Sequence, residues 1–189
     1  MPGLKWLKMG KRSDFPRKPR DDYPTPEAAV LPLLPHLKPS STFDEPCCGD
    51  GQLVEHLENF GHKCLRARDL YLGLTIDTSM DARLITSSDA DYFITNPPWE
   101  RDVMHAIIEN LSKIRPCWLL IDADWMHTKQ AIPYMPSCRS IVSIGRVKWI
   151  PDSKSTGLDN CCWYLFDARQ RMWPFHHFDG TTCFHARLP

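Results

Sequence analysis

Ser41–Gly61 reads STFDEPCCGDGQLVEHLENFG, and the order of residue types within it decides the fold. STFDEP reads as a short strand that Pro46 must close, because proline gives no amide to a sheet ladder. In the CCGDG turn that follows, two glycines one residue apart let the backbone bend sharply and approach a ligand closely. Leu53, Val54, Leu57 and Phe60 then recur on one helical face, with Gly61 as the C-terminal stop. Strand, glycine turn and helix in immediate succession are the opening unit of an α/β sheet.

Working outward, Lys63–Ala67 alternates as a second strand that ends at Asp69. Residues 71–91 are irregular and polar, with Met80–Leu84 the ordered piece expected within them. Tyr92–Thr95 is a third strand, stopped at Asn96 by Pro97 and Pro98. Beyond it Val103, Met104, Ile107, Ile108, Leu111 and Ile114 have helical spacing, and Pro116 ends that helix. CWLLID (117–122) is a compact buried strand. Two or three strands follow, in CRSIVSI, RVKWI and NCCWYLF. Upstream, Thr25-Pro26-Glu27 reads as a helix start with Thr25 as N-cap, shortened by Pro32 and Pro35. The expected architecture is a three-layer α/β, Rossmann-like fold: a mostly parallel sheet covered on both faces, with antiparallel pairing at the C-terminal end.

Composition bounds the function. At 189 residues and 42% hydrophobic content, the chain suits one domain with a full core. The expected organisation is a basic arm over 1–21, a domain over 22–168 and a tail of unassigned role over 169–189. No apolar run reaches the roughly 20 residues of a membrane span, and MPGLKWLKMGKRSDF lacks a signal peptide's apolar middle, so a cytoplasmic protein is expected. The eight cysteines then read as buried, reduced thiols. Cys47-Cys48 and Cys161-Cys162 lack the two-residue gap of a zinc turn, so no metal is expected; any zinc would sit among His176, His177, Cys183 and His185.

Formal net charge is zero, which tells against nucleic-acid binding by bulk charge alone. The distribution is uneven. Residues 1–20 hold Lys5, Lys8, Lys11, Arg12, Arg17, Lys18 and Arg20 against Asp14, either as a solvated tail or as an arm that grips phosphates.

In such sheets ligands bind beyond the carboxyl ends of the strands. The loops concerned carry Glu45 to Gly51, Asp69, and Asn96 to Trp99. A dinucleotide fold would place a third glycine where Val54 stands, which disfavours a nicotinamide enzyme. Asp69 ends the second strand, where an acid accepts hydrogen bonds from ribose hydroxyls, so an adenosine-like ligand is still implied.

EPCCGDGQL, the acid in RARDL, MDA and NPPW occur in the order and rough spacing of class I S-adenosylmethionine-dependent methyltransferases, which the chain resembles over about residues 22–166. DYPTP upstream, with Asn-Pro-Pro-aromatic, resembles the DNA adenine (amino) branch and its small stand-alone enzymes often carried by phages. The resemblance implies S-adenosylmethionine as cofactor. Tyr23, Thr25, Glu45, Cys47, Gly49 and Gly51 would hold its methionine and sulfonium part, Asp69 the ribose, and Asp81 with Ala82 the adenine edge, Asp77 being the alternative to Asp81. Cys47 stands where the family often has phenylalanine.

Asn96, Pro97, Pro98 and Trp99 are the expected catalytic group. An exocyclic amine on a planar ring is a poor nucleophile, and the Asn96 oxygen with the Pro97 carbonyl would accept from it and stabilise developing positive charge. The prolines fix the carbonyl, Trp99 offers a stacking face, and alignment rather than a tuned base supplies catalysis. The partner expected is DNA, with the adenine flipped out of the duplex. The phosphates would be held by the arm and by ADWMHTKQAIPYMPS and GRVKWIPDSKSTGLDN, through Lys129, Arg139, Arg146, Lys148 and Lys154 with Trp125 and Trp149. The rivals are an RNA adenine or a protein glutamine amide as acceptor, and a non-catalytic nucleic-acid-binding module on the same fold.

Overall fold

The computed structural model describes residues 23–70, 78–150, 156–157 and 159–169. The basic arm, Asp77, Lys154 and the His/Cys tail lie outside the described residues. Among these residues seven strands form one sheet: β1 Thr42–Glu45, β2 Lys63–Asp69, β3 Thr78–Ser79, β4 Tyr92–Thr95, β5 Cys117–Asp122, β6 Cys138–Arg146 and β7 Asn160–Phe166, in the order β3-β2-β1-β4-β5-β7-β6. The first five are mutually parallel; β7 runs antiparallel to both β5 and β6. The expected fold class is therefore observed, including the antiparallel strand at the C-terminal end.

Alternation along the strands divides the core in two, as a pleat requires. Phe93, Leu119, Ile121, Tyr164 and Phe166 pack with Met104, Ile107, Ile108 and Leu111 of α3 (Arg101–Ile114) on one face. Phe43, Ile94, Trp118, Leu120 and Trp163 meet Leu53 and Leu57 of α2 (Gln52–Asn59) and the Ala29–Leu37 segment on the other. Because both faces are covered, β5 is apolar at Cys117–Ile121 without interruption, and those five residues are buried. Trp163 Nε1 donates to the Ala29 carbonyl at 2.7 Å and ties α1 (Glu27–Val30) to the sheet.

The prolines act as expected: α1 stops at Val30, and Leu34–His36 is a single 3-10 turn. Other readings need correction. Phe60 lies beyond α2, 39% exposed, because the helix stops at Asn59 and Phe60 has left helical geometry; Leu57 is the last buried residue of that face. RVKWI is no separate strand: β6 runs to Arg146, and the Val147 carbonyl then accepts from Gly157 N at 2.8 Å. Among the described residues no helix is long and apolar enough to cross a membrane, and no group of three His, Cys, Asp or Glu could hold a metal.

The strand order sets the position of the site. The chain leaves β1 outward to β2 and β3, then returns to place β4 on the other side of β1. In sheets of this kind ligands bind at such a reversal, past the carboxyl ends of the strands that flank it, here β1 and β4. Those ends carry the Glu45–Gly51 loop and the Asn96–Trp99 segment.

Candidate active site

The glycine turn is clamped between two strands. Cys48 N donates to the Arg68 carbonyl (2.9 Å), Gly51 N to the Cys48 carbonyl (2.8 Å) and Gly49 N to Asp69 Oδ2 (3.0 Å). Gly49 and Gly51 have φ of 52° and 87°, a region costly for any residue with a Cβ. Asp50 Oδ1 accepts from Gln52 N and starts α2. Asp69, reached from the end of β2, is thus positioned on the loop itself.

Glu45 closes β1 and is 1% exposed. Its Oε1 accepts from Cys47 N at 3.2 Å, whereas Oε2 has no hydrogen-bond partner among the described residues. Burial pushes the carboxyl up from 4.5 to about 8; the nearby Thr95 hydroxyl, outside hydrogen-bonding geometry, and the Cys47 amide oppose this, and Asp69 adds to it. A buried carboxyl with an unspent acceptor and another acid close by is a place prepared for a cation. That donor set fits the sulfonium and ammonium charges of S-adenosylmethionine. Burial likewise raises the Cys47 thiol, with Glu45 as the next cause, so the side chain beside Glu45 is a neutral thiol.

Asn96 leaves β4 half-buried, and its Nδ2 donates to Thr25 Oγ1 at 3.2 Å across 71 positions of sequence. This corrects the reading of Thr25. Pro26 is the N-cap of α1 and has no side-chain cap, and the buried Thr25 hydroxyl serves Asn96 instead. With Nδ2 committed, Oδ1 is the end of the amide left to accept from an incoming NH2 group. Pro97 is buried and Pro98 half-buried behind it.

Trp99 is held by its edge, Nε1 donating to the Leu120 carbonyl at 3.1 Å. Trp149, from the segment after β6, meets it at 6.1 Å between ring centres and 83°, and Tyr23 lies 6.4 Å from Trp149. The structure separates the two loop tryptophans. Trp149 joins the site, while Trp125 is 4% exposed in the α3-side core, with Nε1 donating to His105 Nε2 at 3.0 Å. Gly157 supports Trp149: a Cβ there would stand 2.8 Å from the Val147 carbonyl and 3.1 Å from the indole.

Asp81 follows β3 but turns onto Arg83. Both carboxylate oxygens accept from that guanidinium, one also from Arg83 N, and this holds the acid below its usual range. Ala82 is buried beside it, its carbonyl accepting from Asn110 of α3. Asn110, which also binds the Ile85 carbonyl at 2.8 Å, is a supporting residue that the sequence reading did not single out. Asp122, at the end of β5, is raised from the usual carboxylate range by burial, against the pull of the Asp124 amide. Arg139, expected in a loop near the acceptor, is instead the second residue of β6. It therefore lies at the opposite end of the sheet, where it binds the Asp167 carbonyl.

No protein-family model and no curated protein sequence matches the chain. Solved structures resemble it. A provisionally assigned RNA methyltransferase from Pyrococcus horikoshii is 15% identical, with a TM-score of 0.57 over 83% of this chain and 91% of that one. The Thermoplasma acidophilum protein 1320 is 14% identical, with a TM-score of 0.52 over 75% and 88%. A dimethyladenosine transferase from Plasmodium falciparum is 12% identical, with a TM-score of 0.51 over 76% of this chain and 62% of that one. Strand order, the reversal between β1 and β4 and these likenesses agree: the chain has the Rossmann-like fold of class I S-adenosylmethionine-dependent methyltransferases.

Proposed function

We propose that the chain uses S-adenosylmethionine to methylate the exocyclic amine of adenine in DNA. The observation that carries this reading is Asn96, set at the end of a central strand with its Nδ2 fixed by Thr25. S-adenosylmethionine supplies a methyl group on a sulfonium. Glu45 and the Gly49–Gly51 backbone hold the positive end of that ligand, and Asp69 the ribose. Asn96 Oδ1 and the Pro97 carbonyl accept from the amine and place its lone pair in line for displacement. Trp99 and Trp149, packed edge to face on each other, offer an apolar surface for the flat ring. No tuned general base is required, because the amine loses its proton after methylation, when it is acidic.

DNA is preferred because DYPTP and NPPW together resemble the DNA adenine branch. Exposed Arg101, Lys129, Arg146 and Lys148 lie around the same end of the sheet, as phosphate contacts to a flipped nucleotide require. An RNA adenine is the second reading, since two of the similar folds carry names of RNA or adenosine methylation. The test supplies methyl-labelled cofactor with duplex DNA, RNA or protein, followed by nucleoside mass spectrometry. N6-methyladenine in DNA, abolished by Asn96→Ala while cofactor binding persists, is the expected result. Label in RNA alone selects the second reading, and absence of cofactor binding by calorimetry overturns both.

A further inference from the structure

Asp122 closes β5, the strand next to the Asn96 segment. β4 and β5 are parallel with Thr95 opposite Leu119, so the register carried on by one residue sets Asn96 beside Leu120. Asp122 stands two residues further, about 7 Å along the strand and about 5 Å across. Side chains along β5 alternate: Leu119 and Ile121 belong to the α3-side core, Trp118 and Leu120 to the α2-side core. By that period Asp122 takes the α2 side, as does Cys161, its partner on β7.

The two tryptophans of the site converge on the same place. Trp99 comes from the end of β4 and Trp149 from past the end of β6, strands three positions apart in the sheet, about 14 Å. Their ring centres are only 6.1 Å apart, so the side chains meet over the ends of β5 and β7 between them. Trp149 packs on the α2-side core, and Trp99 Nε1 donates to the Leu120 carbonyl, two residues before Asp122. Asp122 is half-buried there. Its Oδ1 accepts from Asp124 N at 2.9 Å, and Oδ2 has no hydrogen-bond partner among the described residues. Burial raises the carboxyl; the Asp124 amide opposes this, the Asp159 and Asp124 carboxylates add to it, and Arg101 pulls against it. A flat ring seated against the tryptophans removes more water from the carboxyl and favours its neutral form.

We propose that Asp122 is a specificity-determining residue, its Oδ2–H donating to the ring nitrogen next to the carbon that bears the amine, which in adenine is N1. The proposal rests on the reading of the Asn96 end as the methyl-acceptor site and extends that reading to the ring. Asn96 Oδ1 and the Pro97 carbonyl take the N–H bonds of the amine, and Asp122 serves the acceptor beside it. The pocket is then complementary to an amine with an acceptor at its side, the edge that adenine and cytosine share. Guanine presents N1–H there on its pairing edge, donor against donor, and an aniline-like amine leaves the carboxyl proton unpaired.

The experiment measures kcat/KM for methyl transfer by wild type, Asp122→Ala and Asp122→Asn to an oligonucleotide carrying adenine, 1-deazaadenine or 7-deazaadenine at the methylated position. The preference for adenine over 1-deazaadenine should be about tenfold greater for wild type than for Asp122→Ala, the value of one hydrogen bond. The preference over 7-deazaadenine, which keeps N1, should be the same in both. Asp122→Asn still offers an N–H to the ring and an oxygen to Asp124 N, and should recover most of the wild-type preference. A change that merely disturbed the Asp124 turn would slow all three acceptors alike. Equal preferences in wild type and Asp122→Ala, a difference on 7-deazaadenine instead, or an Asp122→Asn no better than alanine would overturn the proposal and leave the acceptor reading standing. Failure of the wild type to methylate any adenine would overturn both.

Discussion

Replacing Glu45 by glutamine should reverse the sign of its effect on stability between acid and alkaline pH. The wild-type carboxyl is raised by burial to about 8 from 4.5 in the unfolded chain, so between those values the native state binds a proton that the unfolded state has lost. Stability from this group is complete below pH 4.5 and is lost as pH rises through 8. At about 1.4 kcal/mol per pH unit, the interval from pH 5 to 8 is worth roughly 4 kcal/mol, a large share of a typical domain's total. Glutamine has the same shape and no titration. Urea unfolding of both proteins at pH 5, 6, 7 and 8 gives the difference directly. Wild type should lose stability relative to Glu45→Gln along that series, and Glu45→Gln should be the more stable protein at pH 8. Parallel curves would show that Glu45 stays ionised in the native state and would refute the burial argument. A cation beside Oε2 lowers the same pKa, so affinity for S-adenosylmethionine should rise with pH over this range.

Thr25→Val should lower kcat for methyl transfer about tenfold with little change in KM, since Asn96 loses the acceptor that orients it, and Thr25→Ser should restore most of the rate. Trp149→Ala should raise KM for the acceptor about tenfold, the value of one aromatic stacking surface, while leaving cofactor affinity near wild type in calorimetry. Gly157→Ala should lower the thermal midpoint and shift tryptophan fluorescence, because the new Cβ would stand 2.8 Å from a backbone carbonyl that cannot swing aside.

The legible parts of the fold were those encoded locally. Pro46, Pro97 and Pro98 end β1 and β4 without reference to any distant residue, and Gly49 and Gly51 stand at positive φ where the turn requires them. The illegible parts depend on partners far along the chain. Thr-Pro-Glu is a sound helix start, but the Thr25 hydroxyl goes to Asn96, 71 residues away, and no local pattern reports such a partner. Trp125 and Trp149 are equivalent as letters. One is buried under α3 and the other stands against Trp99, because β6 carries Trp149 back to the carboxyl end of the sheet. Arg139 stands away from the Asn96 end for the same topological reason: β6 runs parallel to β5, so its first residues lie at the far end.

The place of β7 also governs how the chain is made. Among the described residues β6 is hydrogen-bonded to β7 alone, and β7, the last of their strands in sequence, is inserted between β5 and β6. During synthesis the outer edge of β5, with Trp118 to Ile121, therefore stays bare until Phe166 has cleared the ribosome. At about 5–20 residues per second, the 44 residues from Asp122 to Phe166 take roughly 2–9 s. Through that interval the nascent chain carries an apolar strand edge open to other chains, so its yield in a cell depends on chaperone supply and on translation speed over residues 123–166.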